Sequence, residues 1–146
     1  MRPLPADPGL LIVSCDGAAR GNPGPAGIGV HIATSDGVVV AEIGEGIGEA
    51  TNNVAEYTAV IEGLRRAAEL GAKEVLLRSD SQLLINQLTG TYRVKSPHLQ
   101  PLHRAVREQV QRFERIRFEH VPRELNADAD RLANVGVDTW LASRRR

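Results

Sequence analysis

Aromatic side chains are scarce in this chain: two Tyr, two Phe and one Trp in 146 residues. A platform that stacks the bases of a single strand needs several π faces in succession, so that kind of surface has no support. The single cysteine, Cys15, rules out an internal disulfide, and within an apolar run it reads as a small buried hydrophobe. No apolar run approaches the ~20 residues of a membrane span. The opening MRPLPADPG lacks the apolar segment of a secretory signal, so a cytoplasmic protein with a short Pro-rich lead is expected. Neither sign of charge is in excess, with 18 Lys and Arg against 18 Asp and Glu, so net charge gives no support for nucleic-acid binding. Internal repeats are missing, and the only biased stretch is the terminal Arg144-Arg145-Arg146.

What is present is enough for one domain with its own core: 42% of residues are hydrophobic and 25% charged. Residues 10–15, LLIVSC, form the almost uninterrupted apolar run of a strand buried on both faces. Asp16 follows directly. An unpaired buried carboxylate costs several kcal/mol or takes up a proton, so Asp16 either caps a turn or serves chemistry. Gly17, Ala18 and Ala19 let backbone or ligand come close, and Gly21-Asn22-Pro23-Gly24-Pro25 predicts a rigid turn. Strands over 27–34 and 38–46, separated by Ser35-Asp36-Gly37, complete an antiparallel meander. Gly44, Gly46 and Gly48 alternate in the third strand, as at an edge or a close backbone approach.

Thr51-Asn52-Asn53 then opens a helix to about Leu70, stopped by Gly71, with Val54, Tyr57, Ile61, Leu64 and Ala68 as its apolar stripe. Glu56 borders that stripe, and with Asn53 as N-cap it fits a capping box. A strand over 73–79 ends at Asp80, and the intervening helix makes it parallel to the first strand. Asp80 can simply cap the next helix, which runs to Gly90. A longer helix over 97–113, a strand over 115–121 and a helix from Asn126 to Trp140 complete the chain, with Asn126 as the expected cap.

Each acid has a local excuse, but their joint placement does not. Asp16 and Asp80 follow strands expected to be neighbours, Glu56 borders the helix between them, and Asp130 lies one turn into the last helix. Ligands gather at the carboxyl ends of strands where strand order reverses. Converging carboxylates repel and raise each other's pKa, and an all-oxygen set suits Mg²⁺ or Mn²⁺. Two such ions about 3.5–4 Å apart are the usual apparatus for in-line displacement at phosphorus.

Four motifs, CDGAARGNPGPAG around Asp16, TNNVAEYTAV around Glu56, RSDSQLLI around Asp80 and NADADRLAN around Asp130, resemble those of the type 1 ribonucleases H. The resemblance runs from Leu11 to Trp140. It implies an α/β, RNase H-like fold: a five-stranded mixed sheet of order 3-2-1-4-5 flanked by helices. It also implies two-metal hydrolysis of the RNA strand of an RNA·DNA hybrid, leaving 5′-phosphate and 3′-hydroxyl ends. Asp16, Glu56, Asp80 and Asp130 match the catalytic and metal-binding acids, with two Mg²⁺ ions and Mn²⁺ as a substitute. Asn22, Asn52, Asn53 and Gln82 match contacts to the hybrid's minor groove, and Thr51 matches a phosphate contact. A lead over 1–9, a catalytic domain over 10–141 and a basic tail over 142–146 are expected, in a monomer with no membrane or protein partner. The rival readings are a non-catalytic hybrid-binding module and an integrase-like or exonuclease domain of the same fold.

The chain departs from some relatives in two places. Their loop histidine before the last helix has no counterpart in VPRELNAD, where Arg123 or Glu124 stands instead, and His120 belongs to the preceding strand. Thr89-to-Pro97, TGTYRVKSP, is too short for their basic protrusion and leaves Arg93 and Lys95 as the local cations, with Tyr92 beside them.

Overall fold

The computed structural model describes residues 9–144. The first apolar run becomes strand β1 (Leu10–Ala19), followed by β2 (Gly24–Thr34) and β3 (Val39–Ala50) in an antiparallel meander. The hairpin between β2 and β3 closes where expected: Val38 O accepts from Thr34 N at 2.9 Å, and Gly37 takes φ +90°, which a side chain would resist. Helix α1 (Asn52–Glu69) crosses over to β4 (Glu74–Ser79), which pairs parallel with β1. Helices α2 (Gln82–Leu88) and α3 (Gln100–Val110) lead to β5 (Arg115–His120), parallel to β4, and α4 (Ala127–Ser143) ends the fold. The sheet order is β3-β2-β1-β4-β5, as the resemblance implied.

Alternation along the strands sorts the helices onto the two faces. Val13, Cys15 and Val30 face α1, where Gly63 lets the helix settle onto them, and Tyr57, Val60 and Leu64 are buried beside them. On the opposite face Gly27 and Gly29 of β2, with Gly44 and Gly46 of β3, leave a trough for α4. A β-carbon at Gly29 would collide with the carbonyl of Ala129. The alternating glycines of the third strand therefore mark both an edge and a close approach.

Several boundaries differ from the sequence reading. β3 continues to Ala50, so the backbone is still extended at Thr51 (ψ 162°), and Thr51 rather than Asn53 caps α1, its Oγ1 accepting from Val54 N at 3.2 Å. Ser81, not Asp80, caps α2 by accepting from Leu84 N at 3.2 Å. The helix expected over 97–113 is shorter, with Pro101 in its first turn. Asn126 is the last residue of a single turn of 3₁₀ helix (Arg123–Asn126) and immediately precedes α4, but makes no capping bond. α4 reaches Ser143, and Arg144 lies 4.6 Å over the Trp140 ring. Most of the expected lead, and Arg145 and Arg146 of the tail, lie outside the described residues.

Candidate active site

The pairing of β1 with β4 ends at Ser14–Arg78, and beyond it the two strands part. Asp16 projects from β1 just past that point, opposite Gly29 of β2. Gly17, the next residue, touches the backbone of Ala55 and Glu56; a β-carbon there would collide with both. That close approach delivers Glu56 to Asp16. Tyr57, the next residue on α1, donates to Gln87 Oε1 at 2.7 Å and ties α1 to α2. Asp80 comes from the end of β4 and Asp130 from the first turn of α4. All four acids are partly buried.

Their electrostatics show that they form one cluster. Burial pushes the Asp16 carboxyl from 3.8 up to about 8, assisted by the charge of Asp80, a side-chain hydrogen bond with Asp130, and the charges of Asp130 and Glu56. Burial likewise pushes Glu56 from 4.5 up to about 7; a hydrogen bond from Ser81 opposes this and the charge of Asp80 adds to it. Ser81 is a residue the sequence reading used only as part of a motif. It accepts from Leu84 N and holds Glu56, so one hydroxyl both caps α2 and orients an acid.

Among the described residues no group of three or more His, Cys, Asp or Glu is already arranged to hold a metal ion. The acids are thus an open set rather than a finished cage. Their chemistry nevertheless fits a hard divalent cation: every donor is a carboxylate oxygen, and the raised pKa values mark negative charge that no basic side chain offsets.

Asn22 and Asn52 are tied to one another and to β1. Asn52 Oδ1 accepts from Ala19 N at 2.9 Å, and Asn22 Oδ1 accepts from Asn52 N at 3.1 Å. Both donors are backbone N–H groups, which fixes the amide orientations and leaves each NH₂ pointing away as a donor. Asn53 is exposed and lines a cleft of about 490 Å³ with Asn22, Thr51, Ser96 and His98. Ser96 and His98 were missed from sequence because only the fold brings them to Thr51. Gln82 is exposed on α2 and donates to Asn86 at 3.2 Å. A second cleft of about 560 Å³ lies under the 90–94 segment, where Arg93 faces His103 and Arg104. Lys95 is exposed and does not line it.

The family described as "Reverse transcriptase-like" matches residues 14–136. The chain is 46% identical over 129 residues to the bifunctional protein Rv2228c of Mycobacterium tuberculosis, covering 88% of this chain and 35% of that protein. It is 47% identical over 123 residues to ribonuclease HI of Halobacterium salinarum, covering 84% of this chain and 62% of that one. The chain therefore spans about a third of the length of the first relative and under two thirds of the second. The crystal structure of RNase H1 from Halobacterium salinarum superposes with a TM-score of 0.87 at 45% identity, over 90% of this chain and 99% of that one. The chain belongs to the type 1 ribonuclease H family. Another member, the compost-derived LC11-RNase H1, was solved in complex with an RNA/DNA hybrid and superposes with a TM-score of 0.86 at 42% identity, over 90% of this chain and 99% of that one.

In this ribonuclease H family member no helix lies between Leu88 and Gln100. The loop before α4 contains no histidine, and His120 is the exposed last residue of β5, paired with Ser79.

Proposed function

We propose that this chain is a divalent-metal-dependent endoribonuclease that cleaves the RNA strand of RNA·DNA hybrids, leaving 5′-phosphate and 3′-hydroxyl ends. The observation that carries this reading is the convergence of charge on Asp16 from three other elements, with burial and carboxylate neighbours pushing it up to about 8. Asp16, Glu56, Asp80 and Asp130 would hold two Mg²⁺ ions, or Mn²⁺ in their place. When bound, the ions supply a nucleophilic water and stabilise charge on the leaving 3′-oxygen.

The remaining work falls to the chain's own groups. Ser81 orients Glu56, and Gly17 lets it reach the cluster. Asn22 and Asn52 present amide donors, suited to the acceptor oxygens of a minor groove; a 2′-hydroxyl there separates RNA from DNA. Thr51 spends its oxygen on Val54 N but keeps its proton for a phosphate. The hybrid in complex with the LC11 relative supports this choice of substrate.

The test is cleavage of end-labelled hybrid, double-stranded DNA and double-stranded RNA, with Mg²⁺ and with chelator. Only the hybrid with Mg²⁺ should be cut, and only in its RNA strand. Hybrid binding without cleavage would instead mark a binding module, and cleavage of double-stranded DNA another nuclease of the fold.

A further inference from the structure

Among the described residues three polar side chains are fully buried, Thr34, Ser79 and Asn126, and only Asn126 keeps an atom without a partner. Asn126 is 1% exposed at the start of α4, yet caps nothing. Its Nδ2 donates to the carbonyl oxygen of Cys15 at 2.9 Å, across 111 residues of chain, and its Oδ1 is buried with no hydrogen-bond partner. Since the group it meets is a carbonyl, the NH₂ must face it, and flipping the amide would set two acceptors against each other. The chain thus tolerates an unsatisfied acceptor in order to keep this one donor. Such a group calls for an explanation.

Both ends of the bond are informative. Cys15 lies one residue past the last β1–β4 pair, where the ladder has ended, and directly before Asp16. Asn126 immediately precedes α4, four residues before Asp130 in its first turn. One hydrogen bond therefore ties the strand segment that carries Asp16 to the helix start that carries Asp130. We propose that Asn126 is a positioning residue that holds Asp16 and Asp130 at the separation a divalent cation requires. This rests on the reading of the acids as a metal site. Groups bonded directly to metal ligands change affinity by about 10–100-fold when removed, and Asn126, which acts through the backbone next to Asp16, belongs at the low end of that range.

The test compares parent and Asn126→Leu, a variant of similar volume. The substitution removes the orphan Oδ1 but leaves Cys15 O without its donor, so one unsatisfied acceptor replaces another. The melting temperature in chelator should stay close to the parent's. The Mg²⁺ concentration that gives half of the metal-induced rise in melting temperature should increase about tenfold or more. In cleavage, kcat at low Mg²⁺ should fall by a similar factor and recover as Mg²⁺ is raised, with KM for hybrid unchanged. Asn126→Ser keeps a donor on a shorter stem; it should shift the Mg²⁺ midpoint less than Asn126→Leu and serves as the readout if the leucine variant fails to fold. A parental Mg²⁺ midpoint in a folded variant, or activity lost only in step with the folded fraction, overturns the proposal. A parent that cuts hybrid while the variant matches it rejects the positioning role alone. A parent neither stabilised by Mg²⁺ nor active rejects the metal-site reading as well.

Discussion

Asp16 and Asp80, carried by the neighbouring strands β1 and β4, press their charges on one another just beyond the last β1–β4 pair. Burial and like charges at this distance favour the protonated form of Asp16. The metal-free site is therefore a proton-binding site at pH values where isolated carboxylates are ionised, and this gives it a measurable pH signature.

Asp16 and Glu56 bind protons more tightly in the folded chain, at about 8 and about 7, than at their ordinary values of 3.8 and 4.5. The folded state then carries more protons between those limits, so stability is fully present below about pH 4 and is lost as pH rises toward 8. In chelator the melting temperature of the parent should fall more over this range than that of Asp16→Asn, which lacks the most shifted group. Melting curves at several pH values decide it, and equal slopes for the two proteins would sink the claim.

Asp80 contributes charge to both Asp16 and Glu56, while the capping of α2 is done by Ser81. Asp80→Asn should therefore abolish hybrid cleavage and leave the metal-free fold as stable as the parent, or more stable by roughly 1 kcal/mol. Mg²⁺ should raise the melting temperature of the parent more than that of the variant, since a ligand stabilises the state it binds. A clear loss of apo stability in urea melts would reveal a structural duty for Asp80.

Asn52 accepts from Ala19 N, so truncating it removes a structural bond as well as any substrate contact. Asn52→Asp keeps that acceptor and deletes the outward donor. Asn53 is exposed and makes no side-chain bond among the described residues, so Asn53→Ala is the simpler probe. Asn53→Ala should lower kcat/KM for hybrid by the worth of about one neutral hydrogen bond, 0.5–1.5 kcal/mol, and Asn52→Asp by more, because its new charge also repels the phosphates, each with little change in melting temperature. Activity that falls only in parallel with stability would show that the amides serve the fold alone.

The neutral net charge conceals a division between surfaces. Arg20 pairs with Asp138, Arg78 with Glu119 and Arg131 with Glu42, whereas Arg93, Lys95, Arg104 and Arg107 have no carboxylate partner among the described residues. These four make a modest footprint for phosphates, each contact adding about −0.9 to the log–log salt slope. KM for hybrid at fixed Mg²⁺ should follow a shallow slope of roughly two to four contacts. Arg93→Ala with Arg104→Ala should raise KM more than it lowers kcat, as when uniform binding is lost. A slope of eight or more contacts would require a basic surface beyond this group.

Local pattern made much of this architecture legible. The nearly unbroken run before Asp16 marks a central strand, Asp36-Gly37 a hairpin, and the stripe of Tyr57, Ile61 and Leu64 a helix with one buried face. These signals depend on neighbours within a few residues, where backbone preference and hydrophobic period act directly. The four acids were legible because the family motifs named them together, although Asp16 lies within β1 and Glu56 within α1 rather than at an element boundary. What the sequence could not settle was which group each polar residue serves. Thr51 and Asn53 both suit a helix cap, and the choice fell to Thr51 because β3 holds the chain extended as far as Ala50. Asp80 and Ser81 compete in the same way, with Ser81 taking the cap and an acid from another helix. Asn126 fits every local rule for a cap, yet its amide goes to Cys15, because the end of the β1–β4 ladder leaves a carbonyl within its reach. Hydrogen-bond partners are chosen by proximity in space, and proximity across a hundred residues exists only once the sheet and its helices have packed.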